Sequence, residues 1–440
     1  MALFGTDGVR GIANRDLTAE LALDLAVAAA HVLGEVGAIS KNRPKAIVGQ
    51  DSRASGEFLE AAIVAGLASA GVDVYKVGVL PTPAIAHLVA STGADLGVMI
   101  SASHNPMPDN GIKFFAKGGG KLDDALEAAI EARLNEPWDR PIGRDVGRVI
   151  VDESASERYI YHLLSSLSIN LDGIKVVVDC ANGASSEVAP EVYARAGAQV
   201  IAISNQPNGL NINDNCGSTH IENLIAQVKA NGADIGIAHD GDADRALAVD
   251  AAGNLVDGDF ILAILAKEWK VPTVVGTVMT NLGFIKAMSD SGISFEKTPV
   301  GDRYVLENML ANGHKLGGEQ SGHIIMRDFA NTGDGLLTAL QLMSVMAKTK
   351  KSLAELAKIM VRFPQVLINV NDVDKSKLQT SKAIASAIGE LEAKLGSTGR
   401  ILLRASGTEP LVRVMVEAES QSVAEEIAQK LASLVRLELS

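Results

Sequence analysis

The chain has 440 residues, 47% of them hydrophobic, a formal net charge of −13 and two cysteines. This length and apolar content support several buried cores, while the acidic balance argues against nucleic acid or an anionic membrane as the main partner. Cys180 and Cys216 show neither metal-type spacing nor a disulfide framework, which fits a reducing compartment.

Polar residues interrupt Met1 to Gly11 at once, so no signal peptide is expected. The most apolar helical stretch, Leu21 to Val36, carries Asp24, His31 and Glu35, and is too polar to span a bilayer. The expected location is therefore the cytoplasm. Ala46 to Val48 then reads as a strand, and Ser55 as the cap of a helix running through Ala70. Val72 to Val77 alternates like a second strand, and Thr82-Pro83 opens a helix with proline at its start. Such alternation implies a mostly parallel sheet covered by helices.

Leu96 to Ile100 is a buried strand that ends in the polar loop Ser101-Ala102-Ser103-His104-Asn105-Pro106. Its approach, Gly93-Ala94-Asp95-Leu96-Gly97, is echoed by Gly232-Ala233-Asp234-Ile235-Gly236 and, more faintly, by Gly313-His314-Lys315-Leu316-Gly317. Each copy leads into an unusually polar loop, which favours a triplicated α/β unit. After Phe363-Pro364 the pattern changes. Strand runs at Val366 to Val370, Ile401 to Arg404 and Val412 to Val416 alternate with helices at Lys382 to Leu395 and Ala424 to Val435. The expected fold is thus three related α/β domains with mixed sheets (1–150, 151–252, 253–365) and a smaller α+β domain (366–440).

The polar loops carry the chemistry. Asp240-x-Asp242-x-Asp244-Arg245 follows the strand-like Ile235 to Ala238, and three carboxylates crowded there repel one another unless a hard cation such as Mg²⁺ is present. A calcium loop of the EF-hand type would need Gly where Arg245 stands and Glu where Ala251 stands, so that reading fails. Ser103 lacks the flanking glycines of a hydrolase nucleophile. A serine carrying phosphate instead needs cations and a metal, and His104, Lys113 and Arg10 are the nearby candidates. Asn110-Gly111 is the turn expected to bring Lys113 back toward Ser103. Glu319, Ser321 and His323 offer mixed donors and acceptors suited to sugar hydroxyls. Arg404-Ala405-Ser406-Gly407-Thr408 reads as an anion nest, with Arg413 as further charge. Asp302-Arg303 is left as either a contact or a helix-capping pair, and His220 as structural.

Taken in order, five motifs resemble those of the α-D-phosphohexomutases from end to end. Phe4 to Gly11 resembles the family's amino-terminal signature, Ser101 to Pro106 its phosphoserine loop, and Asp240 to Arg245 its magnesium loop. Gly318 to His323 is similar to its sugar-binding loop and Arg404 to Pro410 to its phosphate-binding loop. Gln320, Gly407 and Gly301-Asp302-Arg303-Tyr304 look like the branch that acts on glucosamine phosphates. Gln50, before Asp51-Ser52-Arg53, departs from the basic residue usual in the family.

The resemblance implies a heart-shaped molecule with the active site in a central cleft. It implies interconversion of glucosamine 6-phosphate and glucosamine 1-phosphate through phosphorylated Ser103 and a sugar 1,6-bisphosphate, supplying amino-sugar nucleotide and cell-wall synthesis. One Mg²⁺ per subunit would be held by Ser103, Asp240, Asp242 and Asp244, with the sugar bisphosphate as primer. Arg10, His104 and Arg245 would assist, Lys113 or His323 would exchange the proton, and Glu319, Ser321, His323, Arg404, Ser406, Gly407, Thr408 and Arg413 would bind substrate. The alternatives are a phosphomannomutase or phosphoglucomutase, a Mg²⁺-dependent sugar phosphatase, and a silent phosphosugar-binding protein. Hinge motion is expected near Phe363-Pro364. The expected partner is a small amino-sugar phosphate; a homodimer is compatible with the sequence and not read from it.

Overall fold

The computed structural model describes residues 3–5, 7–40, 43–405 and 411–440. The chain divides into two compact units, one formed by residues 1–279 and 293–358, the other by 280–292 and 359–440.

The first unit holds three sheets. The seven-stranded sheet contains β1 (Phe4–Gly5), β2 (Gly8–Ile12), β3 (Lys45–Gln50), β4 (Asp73–Val79), β5 (Leu96–Ile100), β6 (Asp109–Ala116) and β7 (Val149–Val151), in the order β1-β2-β6-β5-β3-β4-β7. The second contains β8 (Lys175–Asp179), β9 (Gln199–Ile203), β10 (Ile235–His239), β11 (Ala246–Asp250) and β12 (Leu255–Val256), ordered β12-β11-β10-β8-β9. The third contains β13 (Thr273–Thr277), β14 (Ser294–Thr298), β15 (Leu316–Gly318) and β16 (Ile324–Met326), ordered β14-β13-β15-β16.

The triplication is therefore real at the level of topology. Each sheet repeats one four-strand pattern, β6-β5-β3-β4, β11-β10-β8-β9 and β16-β15-β13-β14. In each, the first three strands in sequence run parallel and the last turns back antiparallel. The Gly-x-x-x-Gly echo has a physical cause in every copy. Gly93, Gly232 and Gly313 end a helix in the left-handed conformation, at φ 67°, 58° and 72°. Gly97, Gly236 and Gly317 sit where the strand passes under that same helix. A Cβ there would stand 2.6 Å from Val89 Cγ2, 2.6 Å from Val228 Cγ2 and 2.7 Å from Met309 Sδ. The faint third copy, which shares its two glycines with both others and a leucine only with the first, obeys the same geometry.

Several expectations change in detail. Asn110 and Gly111 lie inside β6, not in a turn; the reversal is made by residues 101–108, and Lys113 pairs with Met99 across the sheet. The local Asn-Gly turn signal is overridden by pairing on both edges, to β5 and to β2. Ser55 does precede the helix Gly56–Ser69, but its hydroxyl makes no cap and accepts from Asn110 Nδ2 at 2.9 Å. The helix Thr82–Thr92 starts one residue before Pro83.

The second unit is an antiparallel sheet of β17 (Gln365–Asn371), β18 (Arg400–Ala405) and β19 (Leu411–Glu417), with β19 central, packed with the helices Lys382–Leu395 and Gln421–Leu439. It also takes in the helix Leu282–Asp290, the connection between β13 and β14. Asn281 Nδ2 donates to Phe363 O and Leu282 N to the buried Glu417 carboxylate. Phe363 N donates back to Asn281 Oδ1, and Ala418 N to Pro364 O. Phe363-Pro364 is thus packed within this unit, and the chain passes between the units at 279/280, 292/293 and 358/359. Among the described residues no helix is long and apolar enough to cross a membrane.

Candidate active site

Each sheet of the first unit delivers one polar loop from the turn between the last two strands of its repeated four-strand pattern: residues 101–108 between β5 and β6, Asp240–Arg245 between β10 and β11, and Glu319–His323 between β15 and β16. Backbone bonds lay the last two side by side. Arg245 and His323 form an antiparallel bridge, and Ala246 N donates to Gly322 O. Gly322 is required there, since a Cβ would meet Ala246 O at 2.3 Å.

Ser103 is buried, and its Oγ donates to Asp240 Oδ2 at 2.6 Å across 137 residues of sequence. His104 Nδ1 lies 3.3 Å from Ser103 Oγ and 3.3 Å from Arg245 Nη1. Burial, with Arg245 and Arg10 nearby, pushes the His104 imidazole down to about 4, so it is neutral near pH 7 and Nδ1 can accept from the guanidinium.

Asp240, Asp242 and Asp244 are all buried, and one oxygen of each lies within 4.8 Å of the others. Burial, together with Asp244 and Asp242, raises the Asp240 carboxyl well above the usual range. Burial also disfavours a charged Asp242, but the Lys113 ammonium and the hydroxyl of Thr82, 2.5 Å away, win and hold it low. Among the described residues, Asp242 Oδ1 and Asp244 Oδ1 are buried without a hydrogen-bond partner. Hard, converging, incompletely satisfied oxygens fit a divalent cation. Arg245 stands beside them, its Nε 3.7 Å from Asp244 Oδ1.

Lys113 is buried and paired with Asp242 Oδ2 at 2.7 Å and Asp7 Oδ2 at 2.8 Å. Burial opposes its charge, yet Asp242, Asp7 and Asp244 overcompensate and raise its pKa. These carboxylates therefore favour its charged form. Arg10 reaches Asp7 at 2.6 Å and Lys121 reaches it at 2.5 Å, so Asp7 gathers three cations. Lys121 in turn binds Asp302 Oδ2 at 2.6 Å, and His323 Nε2 lies 3.3 Å from the same oxygen. Among the described residues, neither ring nitrogen of His323 has a hydrogen-bond partner, and both are buried. Glu319 accepts from Gly301 N at 3.2 Å, and Ser321 is exposed.

In the second unit, Arg404 and Arg413 face each other across β18 and β19. Burial and the neighbouring Arg413 charge lower the Arg404 pKa. Ser406, Gly407 and Thr408 lie outside the described residues.

The sequence reading missed Asp7, Thr82, Lys121 and the contacts of Asp302. Asp7 stands in the same motif as Arg10, a signal that was present but unread. Tyr193 and His239 were also missed. The Tyr193 hydroxyl lies 2.8 Å from His239 Nε2, and His239 Nδ1 lies 3.0 Å from Arg245 O, bracing the aspartate loop from behind.

A buried serine hydroxyl bonded to one of three clustered carboxylates, with a lysine and an arginine beside those carboxylates, is a candidate site for a phosphoryl group. The four "Phosphoglucomutase/phosphomannomutase" models match in order: α/β/α domain I at residues 1–139, domain II at 157–253, domain III at 257–363 and the C-terminal domain at 367–434. The chain belongs to the phosphoglucomutase/phosphomannomutase family.

Within that family, its relatives include a phosphoglucosamine mutase of Streptomyces griseus, 62% identical over 99% of this chain and 98% of the other. The phosphoglucosamine mutase of Thermobifida fusca is 60% identical over 100% and 99%. Among solved structures, a phosphoglucomutase/phosphomannomutase family protein of Burkholderia thailandensis shares the fold, with TM-score 0.81, 23% identity and coverage of 100% and 98%. So does the Aspergillus fumigatus N-acetylphosphoglucosamine mutase in complex with GlcNAc-6P and magnesium, with TM-score 0.69, 17% identity and coverage of 100% and 96%.

Proposed function

We propose that this chain interconverts glucosamine 6-phosphate and glucosamine 1-phosphate. The observation that carries the reaction type is the 2.6 Å bond between Ser103 Oγ and Asp240 inside the carboxylate cluster. What supports the amino sugar is the set of relatives near 60% identity, over nearly the whole chain, that bear the name phosphoglucosamine mutase.

In this reading Ser103 carries a phosphoryl group. The P–Oγ bond breaks, a P–O bond forms to the free hydroxyl of the sugar phosphate, and a sugar bisphosphate results. The intermediate turns over, and its other phosphoryl group returns to Ser103. Asp240, Asp242 and Asp244, with the phosphoserine, would hold one Mg²⁺, which when bound neutralises charge on the transferring group. Lys113 and Arg245 add fixed positive charge around the serine. His323, whose ring nitrogens make no hydrogen bond among the described residues and whose Nε2 faces Asp302 at 3.3 Å, is the better candidate to exchange the hydroxyl proton, because Lys113 is already committed to two carboxylates. Glu319 and Ser321 would meet ring hydroxyls, and Arg404 and Arg413, with the residues at 406–408, the phosphate that is not reacting. We place the domain limits near 150, 252 and 365.

The test is turnover of glucosamine, glucose and mannose phosphates with a sugar 1,6-bisphosphate primer, alongside phosphopeptide mass spectrometry. The expected result is phosphate on Ser103, preferred turnover of the amino sugar, and a folded Ser103→Ala variant that binds substrate without isomerising it. A preference for mannose or glucose phosphate would move the substrate. Stoichiometric release of inorganic phosphate would replace the mutase with a phosphatase.

A further inference from the structure

Ser103 holds a left-handed backbone, φ 52°, which is uncommon and strained for a residue with a Cβ. Something must hold it there. The answer lies in a segment outside the five motifs, Asp51-Ser52-Arg53, at the carboxyl end of β3.

Arg53 is among the most deeply buried large side chains of the protein, 2% exposed. Its Nη2 donates to Ser103 O at 3.0 Å and Asn105 O at 2.8 Å, its Nη1 to Pro106 O at 2.6 Å, and its Nε to Asp51 Oδ2 at 3.0 Å. Asp51 Oδ2 also accepts from Ser101 Oγ at 2.6 Å, and that oxygen accepts from Ser103 N at 2.9 Å. Both backbone polar groups of Ser103 thus end in one ion pair. A second donor arrives from the loop after β9: Asn213 Nδ2 reaches Ser103 O at 2.9 Å and Asn105 O at 3.0 Å, the two carbonyls that Arg53 Nη2 holds. Gly241, beside Asp240, leaves room for this clamp, since a Cβ there would stand 2.5 Å from Ser103 O and 2.9 Å from Asn213 Nδ2.

We propose that Arg53 and Asn213 are positioning residues that aim the Ser103 hydroxyl at the aspartate cluster. Neither touches the reacting oxygen; both act through the Ser103 carbonyl. The assignment rests on the role given to Ser103 above. A planar fork that serves three carbonyls and a carboxylate at once cannot be replaced by a lysine, which keeps the charge and loses the geometry.

The experiment compares Arg53→Lys and Asn213→Ala with the full-length wild type, reading kcat, KM, melting temperature and the fraction of Ser103-bound phosphate lost to water. A misaimed nucleophile loses turnover and not substrate affinity, so kcat should fall about 10²-fold in Arg53→Lys and about tenfold in Asn213→Ala, with KM changed less than about threefold and more phosphate leaking to water. Both variants turning over at the wild-type rate would overturn the proposal. If Arg53→Lys does not fold, Asn213→Ala decides, its melting temperature read alongside because the half-buried Asn213 holds a left-handed φ of 57°. A wild type without phosphate on Ser103 would instead sink the proposed function, and this inference with it. A working wild type with working variants sinks only the clamp.

Discussion

Lys113 Nζ sits 2.7 Å from Asp242 Oδ2, with both side chains buried and 129 residues between them in sequence. The pair ties strand β6 of the first sheet to the turn after β10 of the second. It also offsets part of the negative charge that Asp240, Asp242 and Asp244 gather in one place.

Removing that ammonium should therefore expose the cluster's repulsion. Lys113→Met leaves a buried carboxylate uncompensated, a change that typically costs about 3–5 kcal/mol. The expected outcome is a lowered melting temperature in chelator, substantially recovered by millimolar Mg²⁺, with turnover reduced at least about 10²-fold. Thermal denaturation with and without Mg²⁺ checks it. An unchanged response to Mg²⁺ in both wild type and variant would count against a cation at these aspartates.

Asp334 makes a prediction about pH. It caps the helix Gly335–Thr349, accepts from Tyr159 Oη at 2.9 Å, and is driven by burial up to about 6 from an ordinary 3.8. The folded state thus retains a proton that the unfolded chain has already released. The resulting stabilisation is complete below the unfolded value and is lost as pH rises through the folded one. Asp334→Asn cannot ionise and keeps an oxygen for the cap. Its stability relative to wild type should rise from near zero at about pH 4 to about 3 kcal/mol at about pH 8. Urea titrations across that range test the sign; a difference that does not grow with pH would refute it.

The triplicated glycines can be tested one against another. At Gly236 a Cβ would press on Val228 Cγ2 at 2.6 Å and Leu224 Cδ1 at 3.0 Å, and a β-branched side chain in a helix has little freedom to yield. Gly236→Ala should cost about 1–3 kcal/mol through overpacking and, by shifting β10, lower turnover as well. Gly232→Ala meets open space and bears only left-handed strain at φ 58°, so it should cost about 1 kcal/mol and leave kcat intact. Denaturation midpoints and kcat for the two variants give the comparison.

Much of this molecule can be read along the chain because its causes are local. Alternating apolar runs mark the strands, and left-handed glycines mark where helices stop. The helix Lys382–Leu395 was legible from its amphipathic period alone. The aspartate spacing and the serine loop were legible for a similar reason, since short peptides already hold those groups within a few residues.

The errors lie where distance along the chain says nothing. Asn110-Gly111 carries a strong turn signal, yet neighbours on both edges hold it flat in β6. Asp51-Ser52-Arg53 gives no hint, as three residues, that its guanidinium will reach carbonyls about fifty residues on. Asp7, Lys121 and Asp302 become one charged network only when separations of 114 and 181 residues collapse to a hydrogen bond. Backbone preference is a property of neighbours in sequence, and so it names the elements and the reactive groups. Burial, charge compensation and the aim of the serine hydroxyl are properties of neighbours in space, and they exist only once the sheets have brought those groups together.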